Sequence, residues 1–174
     1  MYEANALASD LRNAFGLSNA CVVSDFNPLA LRLQAGKELF TRALLDDLHR
    51  SKLDIPNAAS NFLKAKFAGQ RHESFWCLWL DVQSGLIAAE EMFRGTLTQT
   101  SVYPREIVKR AVELDASSVI FSHNHPSGSP TPSRADEAIT STLKTALALV
   151  DCLVADHIVV ANDSTYSFAE RGIL

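Results

Sequence analysis

No stretch of this sequence approaches the ~18 uninterrupted apolar residues that a membrane-crossing helix requires. The opening MYEANALASD has an acid at Glu3 and no basic-then-apolar run, so an export signal is not expected either. The chain reads as a soluble, unexported, cytoplasmic protein with no membrane partner. Cysteine is scarce. Cys21, Cys77 and Cys152 are odd in number, far apart and never in C-x-x-C spacing, which argues against both a disulfide framework and a thiolate metal cage. Buried thiols in a reducing compartment are the expectation. Positive charge is also short: the formal net charge is −4, which argues weakly against a dedicated nucleic-acid surface. The shortage is uneven, because residues 1 to 72 hold nine Lys or Arg against seven Asp or Glu, and the remainder seven against thirteen. An asymmetry of that size names no partner.

What the sequence does have is enough apolar material, 47% of 174 residues, for one compact domain with an appendage. Up to about residue 70 it reads as helical. Leu7, Leu11 and Ala14 share one stripe, Leu39, Phe40, Ala43, Leu44 and Leu48 form another after Asn27-Pro28, and a short helix is predicted from Pro56-Asn57 to Gly69. The pattern changes at residue 74. Phe75 to Leu80 is apolar on both alternating faces, as in a strand covered on two sides. A turn at Gln83-Ser84-Gly85 leads to predicted strands at 86 to 93 and 97 to 103. Pro104 suits a helix start, and Ile107, Val108, Ala111, Val112 and Leu114 recur at helical spacing behind it. A strand over Ser117 to Ser122, a helix from Ser133 to about Leu149 burying Ile139, Leu143 and Leu147, and strands near 152 to 161 and 166 to 168 complete the order. Alternating strands and helices with hairpins predict a mixed α/β domain behind an N-terminal helical segment.

Between the Ser117 strand and the Ser133 helix lies HNHPSGSPTPS, where three prolines and a glycine in eleven residues exclude regular structure. His123 and His125, two apart at a strand end, point to one face and can converge on one ion. Asp136, one turn into the next helix, is the third candidate ligand. Two imidazoles and a carboxylate leave a fourth tetrahedral position open, the mark of a catalytic zinc site. Ser133 to Asp136 is also an S-x-x-D capping box, a common device for starting a helix, so the same residues serve local structure as well.

H-x-H, seven residues, then S-x-x-D matches the JAMM signature of the MPN-domain metalloproteases, and HNHPSG-x-P-x-PS-x-x-D resembles the bacterial RadC family. The resemblance extends to Glu73-Ser74-Phe75, Phe93 to Leu97, Tyr103 to Glu106, Asp156 to Val159 and Ser167 to Gly172, covering about residues 71 to 174. It implies a mixed-sheet MPN (JAMM, cytidine-deaminase-like) domain over 71 to 174 behind the segment 1 to 70. It also implies a Zn2+ ion on His123, His125 and Asp136. A glutamate at the first strand of such domains takes a proton from the zinc-bound water. Glu73 holds that place, and Glu90 is the alternative. Ser133, by the same resemblance, donates a hydrogen bond to the oxyanion; pure helix capping is the competing role. Asp156-His157 is read as a hydrogen-bonded structural pair rather than a ligand set, and His49 and His72 as surface histidines.

The resemblance implies a zinc hydrolase of the metallopeptidase or isopeptidase type, acting on a protein or peptide substrate. The alternative is a DNA-repair-associated or protein-binding module with a structural or low-activity zinc site. Nucleic acid is the weaker expectation, because the acidic balance attracts phosphate poorly and residues 1 to 70 lack a helix-hairpin-helix G-x-G pattern.

Overall fold

A computed structural model describes residues 28–50, 55–95 and 101–174. The stripe at Leu7, Leu11 and Ala14, the thiol of Cys21 and most of the strand predicted at 97 to 103 lie outside them; the described part of that strand, 101–103, is irregular. The chain divides into two compact units, Met1–Ala35 and Gly36–Leu174. The first contributes to the described residues only the opening turns of helix α1, Pro28–Arg50. The second holds the rest of α1 and everything after it: α2 Ile55–Phe67, β1 Ser74–Leu80, β2 Leu86–Arg94, α3 Pro104–Glu113, β3 Ser118–Asn124, α4 Arg134–Ala148, β4 Leu153–Ala161 and β5 Ser164–Ser167. None of the described helices is long and apolar enough to cross a membrane.

The five strands form one mixed sheet in the order β2-β1-β3-β4-β5. β1 runs antiparallel to both its neighbours, β3 and β4 are parallel, and α4 makes the crossover that a parallel pair requires. β1 is buried along its whole length, as its unbroken apolar run demands. Its alternate side chains face two separate cores. Trp76, Leu78 and Leu80 pack with Phe62, Leu63 and Phe67 of α2 and with Leu48 of α1. Phe75, Cys77 and Trp79 pack with Ile107 and Ala111 of α3 and Leu143 and Leu147 of α4. The period of two along each strand thus sorts the sheet's residues between two helical layers.

The predicted stripe of α1 is rotated. Thr41 and Leu48 are buried and Leu44 and Leu45 partly so, whereas Leu39 and Phe40 are each 60% exposed. Apolar spacing alone left the inward face ambiguous, because Leu39, Phe40, Leu44 and Leu45 wrap more than half of the helix. In α3, Val112 likewise points outward. Both described cysteines, Cys77 and Cys152, are buried free thiols.

Leu143 sits under the sheet with no exposed surface, where truncation leaves a cavity that rigid neighbours fill poorly. Leu143→Ala is expected to cost about 2 to 5 kcal/mol, read as a lower urea midpoint at unchanged slope. A loss well under 1 kcal/mol would mean that α4 does not close this core.

Candidate metal centre

The site forms where β3 ends and α4 begins. His123 is in β3's last turn of alternation, on the face that looks toward α4. His125 lies just past the strand, where its backbone N–H donates to the Val160 carbonyl at 2.8 Å and so follows β4 rather than β1. Its ring Nδ1 donates to the Ser129 carbonyl at 2.8 Å, which turns Nε2 inward. The loop closes through the Gly128 N–H, which donates to the His125 carbonyl at 3.1 Å.

Asp136 arrives from the first turn of α4. Ser133 caps the helix by accepting from the Asp136 N–H at 3.2 Å, and Asp136 Oδ2 accepts from the Ser133 N–H at 2.6 Å and its hydroxyl at 2.7 Å. The capping box and the site are thus one arrangement. Asp136 Oδ1 lies 3.2 Å from His123 Nε2, Oδ2 lies 3.6 Å from His125 Nε2, and the two Nε2 atoms are 2.9 Å apart. The three ligand atoms fall within 4.8 Å of one another. The side chains are 7%, 14% and 19% exposed for His123, His125 and Asp136, so solvent screens their interactions weakly.

Half-burial works to raise the Asp136 pKa, but hydrogen bonds from His123 and His125, the charge on His123 and the Ser133 bond together hold it well below its ordinary value. The hydrogen bond to Asp136 is the largest influence on His125 and raises its pKa; burial opposes this, and the Ser129 carbonyl reinforces it. The result is an ionised carboxylate facing two inward nitrogens, a donor set of nitrogen and oxygen that could hold a metal ion.

Glu73 lies half-buried just before β1 and lines the same cavity of about 370 Å³ as His123, His125, Ser133 and Asp136. Phe75, Val102 and Ile139 give that cavity an apolar wall. Glu73's backbone is gripped from both sides. Gly95 N–H donates to its carbonyl at 2.8 Å, and Asn124, the middle residue of H-N-H, accepts from the Ser74 N–H at 2.8 Å while donating to the His72 carbonyl at 2.9 Å. One amide thus spans the gap where β1 and β3 part. Glu90 is occupied elsewhere: Arg110 of α3 donates to both its oxygens, at 2.5 and 2.8 Å. That hydrogen bonding is the main cause of its lowered pKa.

Asp156 and His157 form the expected hydrogen-bonded pair, though through the backbone: the His157 N–H donates to Asp156 Oδ1 at 2.7 Å. Asp156 accepts from Ser167 Oγ at 2.6 Å and the Ala169 N–H at 2.9 Å, tying the C-terminal segment to β4. His157, fully buried against Phe168, lies 2.8 Å from His123 Nδ1 through Nε2 and 2.6 Å from Thr140 Oγ1 through Nδ1. Burial is the first cause of its pKa falling well below the ordinary histidine value. Thr140 escaped the sequence reading, although it stands one turn after Asp136 on the stripe that continues to Leu143 and Leu147. His49 is exposed as expected. His72 is not a surface histidine: it is half-buried, and its Nε2 is enclosed without a hydrogen-bond partner among the described residues.

Parallel strands β3 and β4 and the crossover helix α4 bring two histidines and an aspartate close enough that they could hold one metal ion, the arrangement of a JAB-type domain. The family model for the RadC-like JAB domain matches residues 53–173, and the chain belongs to that family. It is 56% identical over 143 residues to a UPF0758 protein of Polaromonas sp., covering 82% of this chain and 64% of that protein. It is 49% identical over 171 residues to a UPF0758 protein of Albidiferax ferrireducens, covering 98% and 70%. The chain therefore spans slightly under two thirds of the length of the first of these relatives.

Gly128 adopts φ +90°, and a Cβ there would meet Asn162 Nδ2 at 3.1 Å. Gly128→Ala is expected to strain the loop by about 1 to 3 kcal/mol and to weaken metal uptake, because the same turn aims His125. Denaturant midpoints and chelator competition on one preparation check both effects. Undiminished metal affinity would detach the turn from the site.

Proposed function

We propose that this domain is a zinc-dependent hydrolase in which water attacks an amide carbonyl of a protein or peptide substrate. The observation that carries the reading is the confrontation of His123 Nε2, His125 Nε2 and the Asp136 carboxylate within 4.8 Å. Electron-rich atoms so close, and so little exposed, need a cation or a shared proton between them. Two nitrogens and one carboxylate suit Zn2+ and leave a coordination position free. When bound there, zinc supplies a Lewis acid that polarises a carbonyl and acidifies water.

The chain's residues then divide the work. Glu73, across the cavity, takes the proton of the attacking water and returns it to the leaving nitrogen. Ser133 donates to the oxyanion that develops on the former carbonyl oxygen. Its hydroxyl points at Asp136 Oδ2, so the role requires it to turn by rotation about one bond while the backbone cap from the Ser133 N–H stays in place. The apolar wall of Phe75, Val102 and Ile139 favours an apolar group beside the scissile bond.

The test is cleavage of a broad library of peptides and isopeptide-linked peptides by zinc-loaded protein. Metal-dependent products that vanish on chelation and return with zinc are expected. A library left intact under all conditions would overturn the hydrolase reading.

A further inference from the structure

The geometry points to Thr140 as the residue that sets the tautomer of the metal ligand His123, acting through His157 as a relay. A metal on His123 Nε2 requires a lone pair there, so the ring proton must sit on Nδ1. That choice is already encoded three residues deep in the protein. The Thr140 hydroxyl lies 2.5 Å from the Asp136 carbonyl, and a carbonyl only accepts. The single proton of Thr140 is therefore committed to it. Thr140 Oγ1 must then accept from its other partner, His157 Nδ1 at 2.6 Å, which places the His157 proton on Nδ1. His157 Nε2 is left as an acceptor, and the group facing it at 2.8 Å is His123 Nδ1. His123 must donate from Nδ1, so in its neutral form, the form a metal ion binds, the lone pair is on Nε2, the atom that faces His125 and Asp136. Each step follows from the one before, and all of them start from one hydroxyl.

The surroundings keep the chain of donors one-directional. His157 has no exposed surface, and its ring is stacked on Phe168 at 4.9 Å with Phe75 and Phe121 at its edges. The neighbouring carboxylate, Asp156, is turned away to Ser167 and Ala169. The relay also closes a ring: Asp136 gives the site a ligand through its side chain and orients another through its backbone carbonyl. Groups hydrogen-bonded to metal ligands fix ring orientation and basicity, and losing one typically weakens metal binding about 10- to 100-fold. Carboxylates, carbonyls and water are the usual partners of a ligand histidine; here a second, uncharged histidine serves, and so it needs a partner of its own. Thr140 and His157 are positioning residues in this scheme.

The inference rests on the metal reading of the site, so proton position and metal affinity are measured separately. In zinc-free protein labelled with 15N-histidine, long-range 15N–1H spectra are expected to show His157 protonated on Nδ1 and bare on Nε2. Thr140→Val keeps the side chain's shape but removes the hydroxyl. It is expected to move the His157 proton toward Nε2 and to weaken zinc binding, in competition with a chelator at fixed pH, about 10- to 100-fold. Thr140→Ser is expected to recover both. A purely structural threonine would lower the denaturation midpoint without moving that proton. Wild-type His157 protonated on Nε2, or a folded Thr140→Val protein with undiminished zinc affinity, would overturn the proposal. If Thr140→Val fails to fold, the wild-type spectrum and the serine variant still decide. Wild-type protein that takes up no zinc overturns the metal reading instead, a distinct result because the relay is read without metal.

Discussion

Asp136→Asn is expected to leave a folded protein that no longer holds zinc. The substitution keeps the size of the side chain and one oxygen, so the Ser133 N–H, now 2.6 Å from Oδ2, still finds an acceptor. A weakened cap costs about 1 kcal/mol. The metal site loses far more. The one negative charge among the three candidate ligands disappears, and an amide NH2 group must face either Ser133, whose hydroxyl donates to this carboxylate, or the histidine nitrogens, which need an electron pair there. The loss of affinity is expected to exceed the ~100-fold that changes to supporting groups cost. Zinc content after dialysis and a chelator competition measure it. Stoichiometric zinc in the variant would remove Asp136 from the ligand set.

The same variant tests the electrostatics of the metal-free site. His125 has a folded-state pKa raised chiefly by its hydrogen bond to Asp136. Its contribution to stability is therefore complete below the ordinary histidine pKa of about 6.5 and is lost as pH rises through the raised value. Asp136 is depressed, so its contribution is present above the ordinary carboxylate pKa of about 3.9 and is lost as pH falls below it. Denaturation of zinc-free wild type across pH 3 to 9 should show both slopes. Asp136→Asn should flatten both, since one substitution removes the acid and the partner of the base.

The distribution of what the sequence disclosed follows from how far apart the cooperating residues are. His123, His125 and Asp136 lie within fourteen residues, joined by a loop whose prolines restrict its course, and so their convergence is a local problem. β1 was legible for the opposite reason: six consecutive apolar residues, Phe75 to Leu80, leave a strand with covered faces as the economical reading. The relay was hidden because it depends on the parallel register that sets Phe121 opposite His157 and His123 opposite Val159, and on the rotation of α4. Its signal was a histidine inside an apolar strand and a threonine one turn beyond the aspartate. The role of Asn124 was hidden by its neighbours, since alternation sends it to the side away from the histidines. The inward face of α1 was misjudged because its leucines are too evenly spread for spacing to decide, and His72 because a residue at a strand's entry gives no sign of what covers it.

Under the proposed function, the Arg110 pairing of Glu90 favours Glu73 as the base, and no sequence spacing linked Arg110 to Glu90. With Glu90 bound by that guanidinium, the decisive substitution is Glu73→Gln. It preserves shape and leaves the backbone clasp from Gly95 and Asn124 intact, because that clasp uses only main-chain atoms of residues 72 to 74. Zinc content and stability should therefore match wild type. Hydrolysis of whichever library peptide the wild type cleaves should fall by about 10²- to 10⁴-fold, the usual worth of a positioned general base. The fall should appear in kcat more than in KM, since the lost interaction belongs to proton transfer. Glu90→Gln provides the contrast: it breaks a half-buried ion pair between β2 and α3, so it should lower stability modestly and leave turnover per folded molecule unchanged. A fully active Glu73→Gln protein would take the base away from Glu73. An inactive Glu90→Gln protein that stays folded and zinc-loaded would show that the Arg110 pairing opens during turnover and that the base comes from β2.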